Sequence, residues 1–249
     1  MTDGVRTVDP LDVMRKSLRF DLIFKLELAD AWLHGDAASA RMAEEAYLES
    51  IRARCGFRES DPPKSGPAAY VASFRETLAS ISARGYDEKA DPVPVDRDGE
   101  LLGGAHRVAA CAACGCMCRI AESPRMSTGG SQRAAFRQGK MAAEVENWGM
   151  RAYLRRFPDG RLAGEFSALV GPNRPFPNWA SRVRKLRMDS WLWLLREKWF
   201  RIKAALHAGE RGRKALKKSD ECRHRAAAPL MLARYWQARA DETGKGAED

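Results

Sequence analysis

No apolar run in this 249-residue chain approaches the roughly 18–20 residues that a membrane-crossing helix needs, which excludes a transmembrane helix. The opening residues, Met1 to Pro10, lack a basic stretch followed by an apolar one, so no signal peptide is expected. Cysteine is scarce. Of six in all, four (Cys111, Cys114, Cys116, Cys118) crowd into eight residues, which excludes a spaced disulfide framework and predicts a reducing, cytoplasmic setting. The chain also lacks any internal repeat.

What is there is enough for a sizeable core in one domain or two, since 45% of the residues are apolar. The net charge of +10 is concentrated: between Arg182 and Lys218 thirteen Lys and Arg face three acids, so the rest of the chain is close to neutral. A local basic device of this kind suits a polyanionic partner or surface for that segment alone.

Apolar residues at three- and four-residue steps predict a helix over about 11–33, with Asp9-Pro10 as cap and first position, and others over about 38–54 and 68–84. Residues 61–67, rich in proline, read as a loop. The period then changes. Pro92-Val-Pro-Val-Asp96 reads as a short strand, residues 100–102 as a second, 106–113 as a helix ending at Gly115, and 116–120 as a third strand. Residues 123–133 read as a mobile linker and 134–156 as a helix. A turn at 158–160 and a proline-rich connection over 172–177 follow. Helices are expected over 179–208 and 225–240, with a disordered tail from 241. The expected fold class is α+β, organised as a helical segment (1–67), a core (68–122), a mainly helical basic region (134–240) and the tail (241–249).

The most chemically pointed stretch lies between the second short strand and its helix: Gly103-Gly104-Ala105-His106-Arg107. Two glycines remove side chains where a helix begins, so free backbone N–H groups and the positive end of the helix dipole become accessible to an anion. His106 adds a switchable donor and Arg107 a permanent two-pronged one. A tight strand-to-helix corner with no ligand is the plain alternative.

Leu78 to Tyr86, Pro92 to Gly99, Leu102 to Ala110, and Gly115 with the strand after it follow one another as helix, strand, turn, strand, Gly-x-x-Arg, helix, glycine, strand. This order resembles the ParB/sulfiredoxin superfamily over about residues 74–122. Sulfiredoxins carry Gly-Gly-Cys-His-Arg and bind ATP, partition proteins carry Gly-Glu-Arg-Arg and bind CTP, and a third branch phosphorylates free serine. The resemblance implies that Gly103, Gly104, Ala105, His106 and Arg107 hold nucleotide phosphates with magnesium. It also implies a phosphate-side hydroxyl at Ser80, with Lys64 as a further candidate cation. Two departures matter. Ala105 stands at the reactive cysteine, which removes sulfiredoxin chemistry, and Gly103 stands where the serine-kinase branch has an aspartate. Asp96, Asp98 or Glu76 is then the candidate catalytic carboxylate, as base or magnesium ligand, beside His106.

The cysteine cluster invites a zinc or iron–sulfur reading. Its placement on a small-residue helix and an alternating strand favours packed thiols instead. The segment 179–206 combines tryptophans with dense positive charge, and Met188, Trp191, Leu195, Trp199, Ile202 and Leu206 make one stripe on a helix. It suits an anionic membrane surface at the inner face of a membrane, nucleic-acid phosphates, or simple packing with the charges in water. The expected function is nucleotide-dependent phosphotransfer (kinase-like) or hydrolysis acting on a small molecule or an envelope glycan precursor in polysaccharide biosynthesis. A ParB-like, nucleotide-gated DNA-binding protein and a catalytically inert scaffold are the alternatives.

Overall fold

The computed structural model describes residues 4–60, 63–87, 89–127, 132–171, 179–207 and 209–245. The fold is α+β with small sheets. The chain divides into two compact units, one of residues 1–54 and 71–176, the other of 55–70 and 177–249.

In the first unit, β1 (Val5–Val8) leads into α1 (Pro10–Lys16) and α2 (Asp21–His34). Asp9 caps α1 by accepting from the Leu11 N–H at 2.8 Å, and Pro10 supplies the preset first position. The apolar periodicity of 11–33 predicts one helix, but there are two. The buried Glu100 carboxylate captures the chain between them, accepting from Ser17 Oγ at 2.6 Å and the Leu18 N–H at 2.7 Å. A buried carboxylate with two donors offsets helical bonds lost at the break. Helix α3 (Ala37–Cys55) follows, then α4 (Pro67–Arg84), which stops where Gly85 adopts φ 71°.

β4 (Val93–Val95) pairs in parallel with β5 (Cys118–Glu122), and β5 pairs antiparallel with β1, giving the order β1-β5-β4. Helix α5 (Ala105–Cys114) makes the crossover that parallel pairing requires. The strand expected over 100–102 shrinks to a single bridge between Val95 and Leu101, because Glu100 turns inward to Ser17 and Leu18. β5 begins two residues later than the sequence suggests. Gly115 ends α5 in the left-handed region, and the Cys116 N–H still bonds back to the Cys111 carbonyl at 3.0 Å, so it does not join the sheet.

The helix expected over 134–156 is also two, α6 (Arg133–Gln138) and α7 (Ala143–Arg156), followed by α8 (Ala163–Leu169). Again a buried carboxylate holds the break: Glu49 accepts from the Ala142 N–H at 2.9 Å, while its partner Arg52 donates to the Lys140 carbonyl at 2.8 Å. Phe20 sits among Phe24, Phe136 and Phe166, with centroids 5.1, 5.7 and 4.6 Å away, and these rings form much of the core. Of the linker expected over 123–133, residues 128–131 lie outside the described residues, as do 172–177 of the proline-rich connection.

The second unit holds the hairpin β2 (Arg58–Ser60) with β3 (Pro63–Ser65), of which β3 lies within the 61–67 stretch that the sequence reads as loop, and the helices α9 (Trp179–Leu206) and α10 (Glu210–Lys245). Helix α10 starts fifteen residues before the expected 225. Its first half packs small residues, Ala215, Ser219 and Cys222, which leave no apolar stripe to read. It also continues to Lys245, through half of the expected tail; residues 246–249 lie outside the described set. Among the described residues, no helix is long and apolar enough to cross a membrane.

Candidate functional site

Gly104, at φ 69°, is the N-cap of α5 and takes the left-handed conformation that other residues adopt at a cost. A Cβ there would also lie 3.2 Å from Val93 Cγ2 and 3.1 Å from Arg107 Nη2, so the corner is closed tightly over β4. Ala105 is buried in the first turn. Arg107 folds back over the corner and donates to the Tyr86 hydroxyl at 3.1 Å and to the Asp91 carbonyl. Its guanidinium fastens the loop before β4 to the start of α5.

His106 lies against Phe74, with ring centroids 4.6 Å apart and planes 23° apart, and its Nε2 shares a hydrogen bond with the Tyr47 hydroxyl at 2.9 Å. Behind Tyr47, Lys25 Nζ sits 5.9 Å from the ring centroid and bonds to Asp21 at 2.5 Å. Asp21 also takes a two-pronged contact from Arg19, at 2.8 and 3.0 Å. A run of neighbours thus links the corner to Arg19, by a hydrogen bond from His106 to Tyr47, the Lys25 ammonium over the Tyr47 ring, and the ion pairs of Asp21 with Lys25 and Arg19. Tyr47→Phe is expected to destabilise the protein by about 1 kcal/mol, measured by urea unfolding, because it removes the buried hydroxyl that meets His106.

The electrostatics of this run follow from burial. Desolvation alone would raise the Asp21 pKa, but the charges of Arg19, Lys25 and Arg54 hold it well below the usual carboxylate range. Desolvation lowers Lys25 from 10.5 to about 8 against the pull of Asp21. Beside these groups opens a cavity of about 350 Å³, mostly polar, lined by Arg19, Arg54, Gln132, Ser127 and the Glu100–Leu102 stretch that leads into the glycines. Gln132 is itself placed by accepting, through Oε1, from the Asp21 N–H at 3.4 Å.

The other candidate residues are dispersed. Asp96 is buried, accepting from the backbone N–H groups of Asp98, Glu100 and Ser127 at 3.0, 2.8 and 3.0 Å. Burial pushes its pKa up, yet these three donors and Arg161 hold it below the ordinary value, so it is an acceptor that organises the turn. Asp98 lines a different cleft, with Arg15, Lys16, Asp159 and Arg161. Glu76 is exposed on α4, two residues from Phe74 and off its buried face. The Ser80 hydroxyl accepts from Arg84 at 2.9 Å. Lys64 belongs to the second unit, 3.6 Å from Glu59 and over the Tyr70 ring. Arg19, Asp21, Lys25, Tyr47, Arg54 and Gln132 are the residues that sequence reasoning misses. They come from separate segments, and none carries a motif.

Cys111 and Cys118 are buried, and desolvation pushes the Cys111 thiol up strongly and the Cys118 thiol up to about 11, so both stay protonated near neutrality. Among the described residues no group of three or more His, Cys, Asp or Glu is arranged to hold a metal ion. Comparison of the chain with models of known protein families, with curated proteins and with solved structures finds no match in any of the three.

Proposed function

We propose that the first unit binds a phosphorylated small molecule, with a nucleotide as the leading candidate, in the cavity lined by Arg19, Arg54 and the Glu100–Leu102 stretch that precedes the glycine corner. The observation that carries this reading is the convergence of two guanidinium groups and the Gln132 amide on a polar cavity whose wall ends at Leu102, the residue before Gly103 and Gly104. Guanidinium groups bond phosphate oxygens through charge-assisted N–H contacts, Arg19 with the edge that Asp21 leaves open, and the first turn of α5, next along the chain, has N–H groups that lack a helical acceptor. In the ParB/sulfiredoxin-like reading, a magnesium ion arriving with the nucleotide would supply charge neutralisation, and the protein would transfer or hydrolyse a phosphoryl group on a small molecule or glycan precursor. Arg107, fastened to Asp91 and Tyr86, then holds the corner in shape while Arg19 and Arg54 neutralise phosphate charge. His106, oriented by Tyr47 and Phe74, is the candidate proton carrier.

Thermal shift with ATP, ADP, CTP, GTP, pyrophosphate and phosphate, each with and without magnesium, tests this reading. A ligand at about 100 times its dissociation constant adds about 2.7 kcal/mol, a rise of roughly 5 °C or more for a protein of this size. Arg54→Gln should weaken binding at least about tenfold, and Arg97→Gln, at an exposed arginine outside the cavity, should leave it unchanged. If none of these compounds raises the melting temperature of the native protein, the cavity is not a phosphate site.

A further inference from the structure

Helix α9 is apolar on two opposite faces. Val183, Leu186 and Ser190 are buried on the first, which packs on α10: Ser190 Oγ donates to the Ala226 carbonyl at 2.8 Å, and Arg223 donates to Glu197 at 2.9 Å. Met188, Trp191, Leu195, Trp199, Ile202 and Leu206 recur at steps of three and four on the other, about half a turn away. This second row faces water along the helix: Trp191 is 55% exposed, Trp199 47%, Ile202 60% and Leu206 74%. A contiguous exposed row of large apolar residues marks a contact surface. Cations run along both of its edges, Arg187 and Lys198 on one and Lys185, Arg196 and Lys203 on the other, with Lys203 Nζ 4.1 Å from the Trp199 ring centroid. The acids of α9 do not balance them, since Glu197 is buried between Arg201 and Arg223, leaving only Asp189.

We propose that this face of α9 is a membrane-docking surface that lies in the headgroup region of an anionic bilayer. The tryptophans and Ile202 and Leu206 enter the boundary with the acyl chains, while the flanking lysines and arginines reach lipid phosphates. Charge decides among the occupants of the row. A second copy of the helix would bring cationic edges against cationic edges. A nucleic acid would satisfy the cations but leave Leu195, Ile202 and Leu206 in water. An anionic bilayer satisfies both halves of the pattern. A cavity of about 440 Å³ on the same unit, lined by Trp193, Trp199 and Phe200 with Arg196, Lys218 and Arg225, offers the same combination of rings and cations. The surface is independent of the ligand cavity in the first unit.

Co-sedimentation of the full chain with vesicles tests the proposal. Vesicles with roughly one quarter phosphatidylglycerol in phosphatidylcholine should pellet the protein, pure phosphatidylcholine should not, and about 0.5 M salt should weaken binding at least about tenfold. The triple substitution Trp191→Gln, Trp199→Gln, Ile202→Gln should lose at least about tenfold in affinity with its helical circular dichroism retained. Lys185→Gln with Lys198→Gln and Lys203→Gln should lower affinity and flatten the salt dependence, a second reading should the first variant not fold. Three results would overturn the proposal: no binding of the native chain, binding by both variants equal to it, or a dimer or duplex-DNA complex that forms through the same residues and excludes vesicles.

Discussion

Asp21→Ala should destabilise the first unit by about 3–5 kcal/mol, because it leaves Lys25 and Arg19 held in the interior without their shared carboxylate. Asp21 is fully buried, Lys25 nearly so, and Asp21 holds Arg19, which lines the cavity of about 350 Å³. Urea unfolding measures the loss. Asp21→Leu combined with Lys25→Met should recover the share due to Lys25, since the apolar pair carries no desolvation cost, while Arg19 still lacks its carboxylate. A loss under about 1 kcal/mol for the single substitution would mean that water reaches these charges. The pH dependence has a defined sign. Folded Lys25 titrates near 8 and an unfolded lysine near 10.5, so between those values the unfolded chain binds more protons. The Lys25 contribution to stability therefore rises with pH across that window, opposed above 9.0 by the buried Cys111 and Cys118 thiols, and the difference between the native protein and Lys25→Met isolates the rise. Asp21 acts at the other end: its folded pKa lies well below 3.8, so its contribution is complete above 3.8 and is lost as the pH falls below it.

Gly139→Ala should cost about 3 kcal/mol or more, from overpacking against main chain that has no room to move. A methyl at 139 would lie 1.8 Å from the Ala53 carbonyl oxygen and 2.5 Å from its carbon, where the α6–α7 turn presses on the last turn of α3. That turn is pinned just after the contact, by Arg52 to the Lys140 carbonyl and by Glu49 to the Ala142 N–H. Gly164→Ala in α8 is the matched comparison: nothing lies within 4 Å of the place its methyl would take, and it should gain roughly 0.5–1 kcal/mol from helix propensity. Equal melting temperatures for the two variants would contradict the close approach at Gly139.

The helices of the first unit are legible wherever a face is buried against one neighbour, and illegible where a buried carboxylate interrupts them. Glu100 breaks the run at 17–20 from more than eighty residues away in sequence, and Glu49 breaks the run at 139–142 from about ninety. No local pattern announces such a partner, and Asp21 with Lys25 at i,i+4 reads as an ordinary surface pair until the fold buries it. The same logic separates Asp96 from a catalytic base, since its oxygens are committed to three backbone donors. The glycine corner is legible because Gly104 needs a positive φ next to a helix start, a local requirement. Arg19, Arg54 and Gln132 lie on different segments and meet at the cavity only through tertiary packing, so they leave no spacing to read. The first half of α10 escapes notice for another reason: alanine, serine and cysteine bury well against α9 but weigh little in an apolar pattern.

Titration of pyrophosphate, then ATP with magnesium, into nitrogen-15-labelled protein followed by NMR asks directly where a phosphate sits. Binding at the proposed site should shift the backbone amides of Gly103 to Arg107, the Gln132 side-chain amide and the Arg19 and Arg54 Nε–H signals together, along one saturable curve. Shifts confined to the basic residues of α9 and α10, with the corner and the cavity unmoved, would contradict it.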